Sequence, residues 1–365
     1  MSYFKKLLQG VDVKWTSLGD ENFIEIANRG RKPVESSLRL AGEIPYYGAN
    51  NIQDYVEGYT HSGEFVLIAE DGTTSIENYS IQYANGKFWA NNHVHVIKGK
   101  DELSTRFLFH YLRIVNFIPF LSGRIRAKLT KGKLIEIQIP ILPLEIQKEI
   151  VNILDSFTEL TTELKAELKA RKKQYAFYRK ELLTFGEEIE WKALGEIALI
   201  GTGSHDTQDA VDYGNYTFYA RGITPLKLNS YDFDETAIIT AGDGVGVGKV
   251  FHWAVGKYAL HQRAYRIVPN ADVSSRYIYH YMVANFYSYI QKTSVHSSVT
   301  SLRKPMFLKF PIPVPPIEEQ KRIVGILDQF DILTNSLSGG IPREIELRQK
   351  QYEYYRNLLL TFPKD

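Results

Sequence analysis

Between residues 146 and 182, apolar and aromatic side chains recur mainly every three or four positions, with polar side chains between them. This spacing is typical of a helix with one apolar seam, and a run of this length is typical of a coiled coil. Pro143 precedes the run, where proline suits the first helical turn because its missing N–H would have no partner there. The pattern predicts a long helix over residues 143–185.

The chain carries this pattern twice. Residues 139–161 read IPILPLEIQKEIVNILDSFTELT, and residues 312–334 read IPVPPIEEQKRIVGILDQFDILT. Aligned at an offset of 173, the two segments have the same residue at more than half of their positions. An internal duplication of this kind indicates one structural unit that is used twice.

A second pair of matching segments follows, YAFYRKELLTF (175–185) and YEYYRNLLLTF (352–362), at an offset of 177. The second copy therefore predicts another long helix, over residues 316–362. We expect this helix to be interrupted at SGGIP (338–342), because glycine is too flexible and proline lacks the N–H donor that a regular helix needs.

The two ends of the chain also match the repeat. SYFKKLL (2–8) resembles FYRKELL (177–183), and VKWTSLGD (13–20) resembles IEWKALGE (189–196). Residues 1–15 are therefore interpreted as a helix end that completes the C-terminal repeat. This circular order predicts two long antiparallel helices related by a pseudo-twofold axis.

Two further domains, predicted over residues 16–142 and 186–315, are much less alike in sequence. Both have short strand-like runs, EFVLIAEDG (64–72) in the first and TAIITAGDG (236–244) in the second. Each then has an apolar helical stretch that opens with serine, a residue suited to capping a helix N-terminus. The predicted fold class is α+β, with two similar α/β domains separated by the antiparallel helices of a coiled coil.

Composition limits the choice of function only loosely. The 365 residues carry a formal net charge of +2, so any basic surface must be local. There is no cysteine, which excludes disulfides and cysteine metal sites, and no run is long and apolar enough for a signal peptide or a membrane span. These features favour a cytoplasmic protein.

Motifs of catalysis are missing from the sequence. The glycine-rich run GDGVGVGK (242–249) resembles a phosphate-binding loop, but Asp243 replaces its first glycine and Val250 replaces the Ser or Thr that would hold magnesium. The nine histidines show no spacing typical of metal ligands. We predict neither an enzyme nor a metal site.

The loops of the two domains carry side chains suited to DNA. Cations that can neutralise phosphates are concentrated in one segment, at Arg124, Arg126, Lys128 and Lys131. Side chains of the types that read base edges in the major groove occur at Asn50, Asn51, Asn91, Asn92, Arg221, Gln262, Arg263, Arg303 and Lys304. We predict that these residues bind DNA.

The duplicated helices, the circularly repeated ends and the paired divergent domains resemble the DNA-sequence specificity subunit of type I restriction–modification systems. The resemblance covers essentially the whole chain. It implies a non-catalytic subunit with two target-recognition domains, each reading half of a split, asymmetric double-stranded DNA target. It also implies two modification (methyltransferase) subunits and restriction subunits as partners, which would methylate adenine and cleave DNA.

The resemblance further implies that this chain needs no cofactor, because S-adenosylmethionine, ATP and magnesium would be used by the partners. The recurring helix residues are the candidates for partner binding: Gln147, Asp155, Phe157, Gln320, Asp328 and Phe330. Two alternatives stay open, a coiled-coil scaffold joining two ligand- or protein-binding domains and an enzyme with an undetected site between its halves.

Overall fold

The computed structural model of the chain describes residues 7–123, 127–293, 301–336 and 338–363. By its internal contacts the chain divides into unit 1, Met1–Lys165 with Ile345–Asp365, and unit 2, Ala166–Glu344. The division falls within two long helices, so each unit takes part of both. Among the described residues, no helix is long and apolar enough to cross a membrane.

The described residues form both short and long helices. They are α1 (Thr105–Leu112), α2 (Lys131–Leu134), α3 (Leu144–Leu182), α4 (Leu194–Ile197), α5 (Ser275–Thr293), α6 (Lys304–Leu308), α7 (Ile317–Asn335) and α8 (Gly340–Leu360). The helix predicted from the first repeat is α3. The interruption predicted in the second repeat is present between α7 and α8, where Gly340 has a φ of 74° that a regular right-handed helix cannot continue through.

The strands of unit 1 form a two-stranded and a six-stranded sheet. They are β1 (Lys14–Ser17), β2 (Ile24–Ile26), β3 (Ala41–Tyr47), β4 (Ile52–Val56), β5 (His61–Ala69), β6 (Ile81–Ala90), β7 (Val94–Gly99) and β8 (Gln138–Ile141). Strand β1 pairs with β8, and the larger sheet has the order β2-β7-β5-β6-β3-β4, in which only the β3–β6 pair is parallel.

Unit 2 repeats this arrangement strand for strand. Its strands are β9 (Trp191–Ala193), β10 (Ala198–Thr202), β11 (Tyr216–Tyr219), β12 (Leu226–Leu228), β13 (Phe233–Ala241), β14 (Phe251–Leu260), β15 (Ala264–Pro269) and β16 (Pro311–Pro313). The order is β10-β15-β13-β14-β11-β12, again with one parallel pair, β11–β14, and β16 pairs with β9. The predicted fold class of two similar α/β domains with long helices is confirmed.

The central strand of each sheet is buried on both faces. In β5, Val66 and Ile68 pack with Phe107 and Leu108 of α1, whereas Leu67 packs into a second cluster on the opposite face. Period-two alternation sends neighbouring side chains to opposite faces, so a strand with a core on each side must read as a continuous apolar run. The run FVLIA at 65–69 meets this requirement.

We call α1 and α5 the domain helices. A buried glutamine on a long helix accepts a hydrogen bond from the residue that precedes each domain helix. The side chain of Gln147 is fully buried, and its Oε1 accepts from Ser104 N at 2.9 Å. Its Nε2 donates to the carbonyl oxygens of Glu102 and Leu142 at 2.8 and 2.7 Å. The Ser104 hydroxyl accepts from the N–H of Phe107 and caps α1, as predicted.

Unit 2 contains the same connection. Gln320 is 1% exposed, and its Oε1 accepts from Ser274 N at 2.9 Å while its Nε2 donates to Pro315 O at 2.8 Å. Gln147 and Gln320 were predicted to bind partners, but their burial leaves these side chains no surface for a partner in this structure. Their recurrence is explained by hydrogen bonds within each unit.

About two turns further along each long helix, an aspartate accepts hydrogen bonds from an arginine and a histidine of the domain. Asp155 accepts from Arg106 at 2.7 Å and from His110 Nε2 at 2.8 Å. Burial opposes the ionisation of Asp155, but hydrogen bonds from His110 and Arg106 outweigh it and lower its pKa to about 2. Burial also lowers the pKa of His110.

In unit 2, Asp328 accepts from Arg276 and from His280 Nε2, both at 2.7 Å. Burial lowers the pKa of His280 in turn. Thus Asp155 and Asp328, also predicted to bind partners, each hold a domain helix through two hydrogen-bond donors of their own unit. The sequence signal for the donors is the arginine and histidine four positions apart in both domain helices, RFLFH and RYIYH.

The two phenylalanines predicted to bind partners stack on tyrosines of their own units. In unit 1, the ring of Phe157 on α3 stacks on that of Tyr355 on α8, with centroids 5.5 Å apart. In unit 2, Phe330 on α7 stacks on Tyr175 and Tyr178 of α3 at 5.8 and 5.7 Å. These contacts pair the helix segments within each unit, so partner binding is not needed to explain why the two phenylalanines recur.

Indole hydrogen bonds at corresponding positions link the start of each domain to the end of a long helix, although residues 1–6 of the predicted N-terminal helix end lie outside the described residues. In unit 2, Trp191 Nε1 donates to the carbonyl oxygen of Gly186, just past the end of α3. In unit 1, Trp15 Nε1 donates to the carbonyl oxygen of Pro363 at 3.0 Å, across 348 residues of sequence. The C-terminal end of the chain thus occupies in unit 1 the place that the end of α3 occupies in unit 2.

We expect Gln147→Ala to lower the free energy of unfolding of unit 1 by about 1–3 kcal/mol, because the N–H of Ser104 and two carbonyl groups would lose their partner. Lys148→Ala, at the exposed neighbouring position, is the matched control. Urea unfolding followed by circular dichroism measures both variants. Equal unfolding curves for the two would contradict the role assigned to Gln147.

Candidate nucleic-acid interface

The loops of unit 1 that carry predicted DNA-binding residues contact one another. Asn50 Nδ2 donates to Gly72 O at 2.7 Å, and its Oδ1 accepts from Thr74 N at 2.9 Å. The backbone of Glu70 joins two more loops, because its N–H donates to His93 O and its carbonyl accepts from Leu129 N. We call the segments 48–51, 70–74, 91–93 and 127–131 loop surface 1.

The predicted residues of loop surface 1 differ in their exposure. Asn51 is exposed, and its side chain accepts from the N–H of Ile52. Asn92 and Lys131 are also exposed. Asn91 is 3% exposed and accepts from His93 N at 2.8 Å, so this side chain shapes the loop and is not available to read a base. Arg124 and Arg126 lie outside the described residues.

Lys128, another predicted DNA-binding residue, is half-exposed beside a carboxylate that organises loop surface 1. Its Nζ lies 3.3 Å from Glu70 Oε1, and Arg31 Nη1 donates to Glu70 Oε2 at 2.7 Å. Burial raises the pKa of Glu70, but hydrogen bonding from Arg31 and the neighbouring charges hold it below the ordinary value. Arg31 also donates to the carbonyl oxygen of Val94, so it fixes the start of β7.

The loops of unit 2 converge in the same way. His205 N donates to Leu260 O, and Gln262 N donates to His205 O at 2.8 Å. Gly242 N donates to Arg263 O, and Leu302 N donates to Gly242 O at 2.7 Å. We call the segments 203–209, 220–225, 242–249, 261–263 and 301–304 loop surface 2. All the residues predicted to bind DNA in unit 2 lie on it.

A single carboxylate orients two of these residues. Asp243 Oδ1 accepts from Arg221 Nη1 at 2.9 Å, and its Oδ2 accepts from Arg263 Nη1 at 3.0 Å. Burial raises the pKa of Asp243, but the hydrogen bonds and charges of the two arginines outweigh it and lower the pKa overall. The Arg263 side chain is still 63% exposed, so its guanidinium faces solvent while one of its nitrogens is held.

The other predicted residues of loop surface 2 are exposed. Gln262 Nε2 donates to Asp206 Oδ2 at 2.8 Å. Arg303 is the N-cap residue of α6 and Lys304 is its first residue, and both are exposed. Among the described residues, no three His, Asp or Glu side chains lie together in a cluster that could hold a metal ion.

The two surfaces have the same backbone arrangement at one aspartate but differ in the side chains around it. Asp71 follows β5 and forms an isolated backbone β-bridge with Lys128. Asp243 follows β13 and forms the corresponding β-bridge with Ser301. In unit 1 this aspartate lies 2.6 Å from His93 Nδ1, whereas in unit 2 it holds two arginines. Sequence reasoning missed both aspartates, although the Asp-Gly pair that ends EFVLIAEDG and TAIITAGDG is a recurring signal for them.

Comparison with known proteins decides the family. The family model described as type I restriction modification DNA specificity domain matches residues 11–171 and 186–347. The chain belongs to the family of type I restriction–modification specificity subunits. Members of this family are non-catalytic components of their complexes.

Individual relatives agree with this assignment. The chain is 45% identical to a putative type I restriction enzyme specificity subunit of Haemophilus influenzae, over 99% of this chain and 98% of the relative. It is 33% identical to a type I restriction enzyme specificity subunit of Escherichia coli, over 100% and 98% of the two chains. A crystal structure of the S subunit from M. genitalium has the same fold, with a TM-score of 0.69 at 15% identity and full coverage of both chains.

The role of Asp243 in orienting Arg221 and Arg263 of this specificity subunit can be tested by substitution. We expect Asp243→Asn to release Arg221 and Arg263, because a neutral amide cannot hold two guanidinium groups. Discrimination between target and non-target duplexes should then fall by about tenfold, a loss of the size that one misread base pair causes. Competition binding at fixed salt measures it.

Asp212→Asn is the control for this change. Asp212 is an exposed acid of the same unit, and its substitution removes the same charge. If both variants alter discrimination equally, net charge and not the orientation of the arginines is responsible.

Proposed function

We propose that the chain binds double-stranded DNA sequence-specifically and that each unit reads one half of a bipartite, asymmetric target. The observation that carries this proposal is the pair of loop surfaces, built on sheets of identical strand order but presenting different side chains. Unit 1 offers mainly asparagine and lysine, and unit 2 offers mainly arginine and glutamine. Different donors and acceptors favour different bases, so two unlike half-sites are expected.

The two kinds of contact differ in what they contribute. Exposed lysines such as Lys131 suit phosphates, which position the protein on the duplex without reading sequence. Arg263 suits a guanine edge, because its guanidinium is exposed and already oriented by Asp243. Preorganisation of this kind reduces the entropy lost when the side chain binds.

We further propose that the chain directs adenine methylation and restriction by partner subunits, and that it brings together two modification subunits. S-adenosylmethionine, ATP and magnesium would be bound by those partners and not by this chain. The support is a pair of equivalent apolar positions that each unit leaves exposed. Unit 1 exposes Leu144 and Tyr354 at 48% and 62%, and unit 2 exposes the matching Ile317 and Phe177 at 42% and 60%.

Exposed aromatic side chains often contribute strongly to protein interfaces, and these recur at the repeat offsets of 173 and 177. Two copies of one partner would meet the same local chemistry in each unit. These four exposed positions replace the buried glutamines as the candidates for partner binding.

Exchange of residues 186–311 for the corresponding segment of a relative should change one half-site and leave the other unchanged, because loop surface 2 lies within that segment. Methylome sequencing of a host that carries the modification subunits, with and without the gene, gives both half-sites directly. The reciprocal exchange of residues 16–138 is the control. A change in both halves after either exchange would contradict the two-reader proposal.

Phe177→Ser and Tyr354→Ser should each reduce the number of bound modification subunits from two to one, because each removes the exposed repeat-matched aromatic side chain of one unit. Mass photometry of the assembled complex counts the subunits. Tyr213→Ser is the matched control, since Tyr213 is 94% exposed but lies away from the repeat. Complexes that keep both subunits in the two single variants and in the double variant would exclude these positions from partner binding.

A further inference from the structure

Unit 1 contains a cavity of about 550 Å³ that the DNA-reading role does not explain. It lies between the β5–β6 connection, the end of α1 and the C-terminal half of α8, and it opens beside Asn50 and Asn51 of loop surface 1. Its volume is within the range of small-molecule sites. The residues that line it combine cations, aromatic rings and unpartnered polar atoms.

Two arginines give the cavity its charge. Arg113 and Arg356 each lie within 6 Å of the centre of the Tyr352 ring, at 5.8 and 5.6 Å, and Arg113 Nη1 donates to the Tyr352 hydroxyl at 3.0 Å. Within the described parts of the chain, neither guanidinium has a carboxylate within ion-pair distance. Glu77, the acidic residue on the cavity wall, is exposed. Two unneutralised guanidinium groups suit an anion, and phosphate above all.

Two buried polar atoms of the cavity lining have no hydrogen-bond partner among the described residues, Gln82 Oε1 and Arg356 Nε. Gln82 Nε2 donates to Gly48 O at 3.1 Å, which leaves Oε1 as the open acceptor. A buried acceptor without a partner is costly, and a ligand that brings an N–H group would satisfy it. Arg356 Nε requires an acceptor in turn.

Aromatic rings supply flat apolar walls. The rings of Tyr79 and Phe117 stack with centroids 4.7 Å apart, and those of Tyr83 and Phe109 lie 5.6 Å apart. All four residues line the cavity. Aromatic side chains bind nucleobases by stacking irrespective of sequence.

Unit 2 departs from this arrangement at the matching positions. Aligning FLFHYLRIV (107–115) with YIYHYMVAN (277–285) places Val283 where unit 1 has Arg113. The connection after β13 also packs against the longer α5, since a Cβ on Gly248 would lie 2.6 Å from Ile290 Cδ1. The combination of two arginines and an open acceptor therefore belongs to unit 1 and is not a requirement of the shared fold.

We propose that this cavity is a nucleotide-binding site. Arg113 and Arg356 bind the phosphate, the aromatic walls contact the base, and Gln82 Oε1 accepts from an amino group of the base. The nucleotide is either a free mononucleotide or one unstacked nucleotide of the DNA at loop surface 1, and only the second source rests on the proposed DNA-binding function.

Isothermal titration calorimetry of the full chain without DNA tests the first source, with AMP, GMP and inorganic phosphate as probes. We expect AMP or GMP to bind, and Arg113→Val to weaken that binding by about tenfold or more through loss of a charged hydrogen bond. Valine is the residue at the matching position of unit 2, so this variant is compatible with the fold. Inorganic phosphate that binds as tightly as both nucleotides would overturn the assignment of a base site.

Arg356→Met paired with Arg179→Met controls for the loss of a helix arginine. Arg179 is the matching residue of unit 2 and packs over Tyr175 as Arg356 packs over Tyr352. Nucleotide binding should be lost in Arg356→Met and retained in Arg179→Met. Where a free nucleotide binds the unaltered chain, equal effects of the two changes would overturn the site.

Fluorescence of 2-aminopurine, placed at successive positions of a target duplex, tests the second source. An unstacked nucleotide in the cavity gives an increase at one position in the half-site of unit 1, which Arg113→Val abolishes while the duplex still binds. The proposal is overturned if no free nucleotide binds and no position in a bound duplex becomes unstacked. Failure of the duplex to bind at all would count against the proposed function and leave the calorimetry to decide the site.

Discussion

A glutamine buried at the start of a long helix holds each domain in place. Gln147 and Gln320 lie at the point where the chain leaves a domain strand and enters a helix, and each accepts from the N–H that precedes the domain helix. Because a buried amide must satisfy all its donors and acceptors, few positions of the domain relative to the helix are permitted. The Arg–His–Asp contacts further along fix the same two helices at a second point.

These two attachments hold the sheets and helices of each unit in place, whereas the loops at the strand ends can vary in sequence independently of them. The sheets and the helix contacts are the same in both units, down to the parallel strand pair. The loops at the strand ends make no part of those contacts, so their side chains can differ without loss of the fold. Asp71 and Asp243 show this directly, since the same backbone position serves a histidine in one unit and two arginines in the other.

The repeat made the fold predictable, but the roles of individual residues were harder to assign. Apolar side chains that recur every three or four positions indicate a helix from local sequence alone, and two glycines with a proline mark its interruption. For this reason α3, α7 and α8 could be predicted. Gln147 and Phe157 recur and contact their own unit, and recurrence alone cannot separate an internal contact from a partner contact. Asn91 has a side chain typical of DNA recognition, yet its burial depends on neighbours distant in sequence. Arg31 and Arg113 gave no local signal, since their partners come from other strands and helices.

Hydrogen–deuterium exchange of the chain, with and without a duplex that contains its target, tests whether the two loop surfaces bind DNA while the buried glutamines hold the domain helices. We expect DNA to slow exchange in loop surface 1 and loop surface 2 and to leave the amides of Ser104 and Ser274 unchanged, because those amides already donate to the buried glutamines. Protection confined to the long helices, with both loop surfaces unaffected, would contradict this expectation.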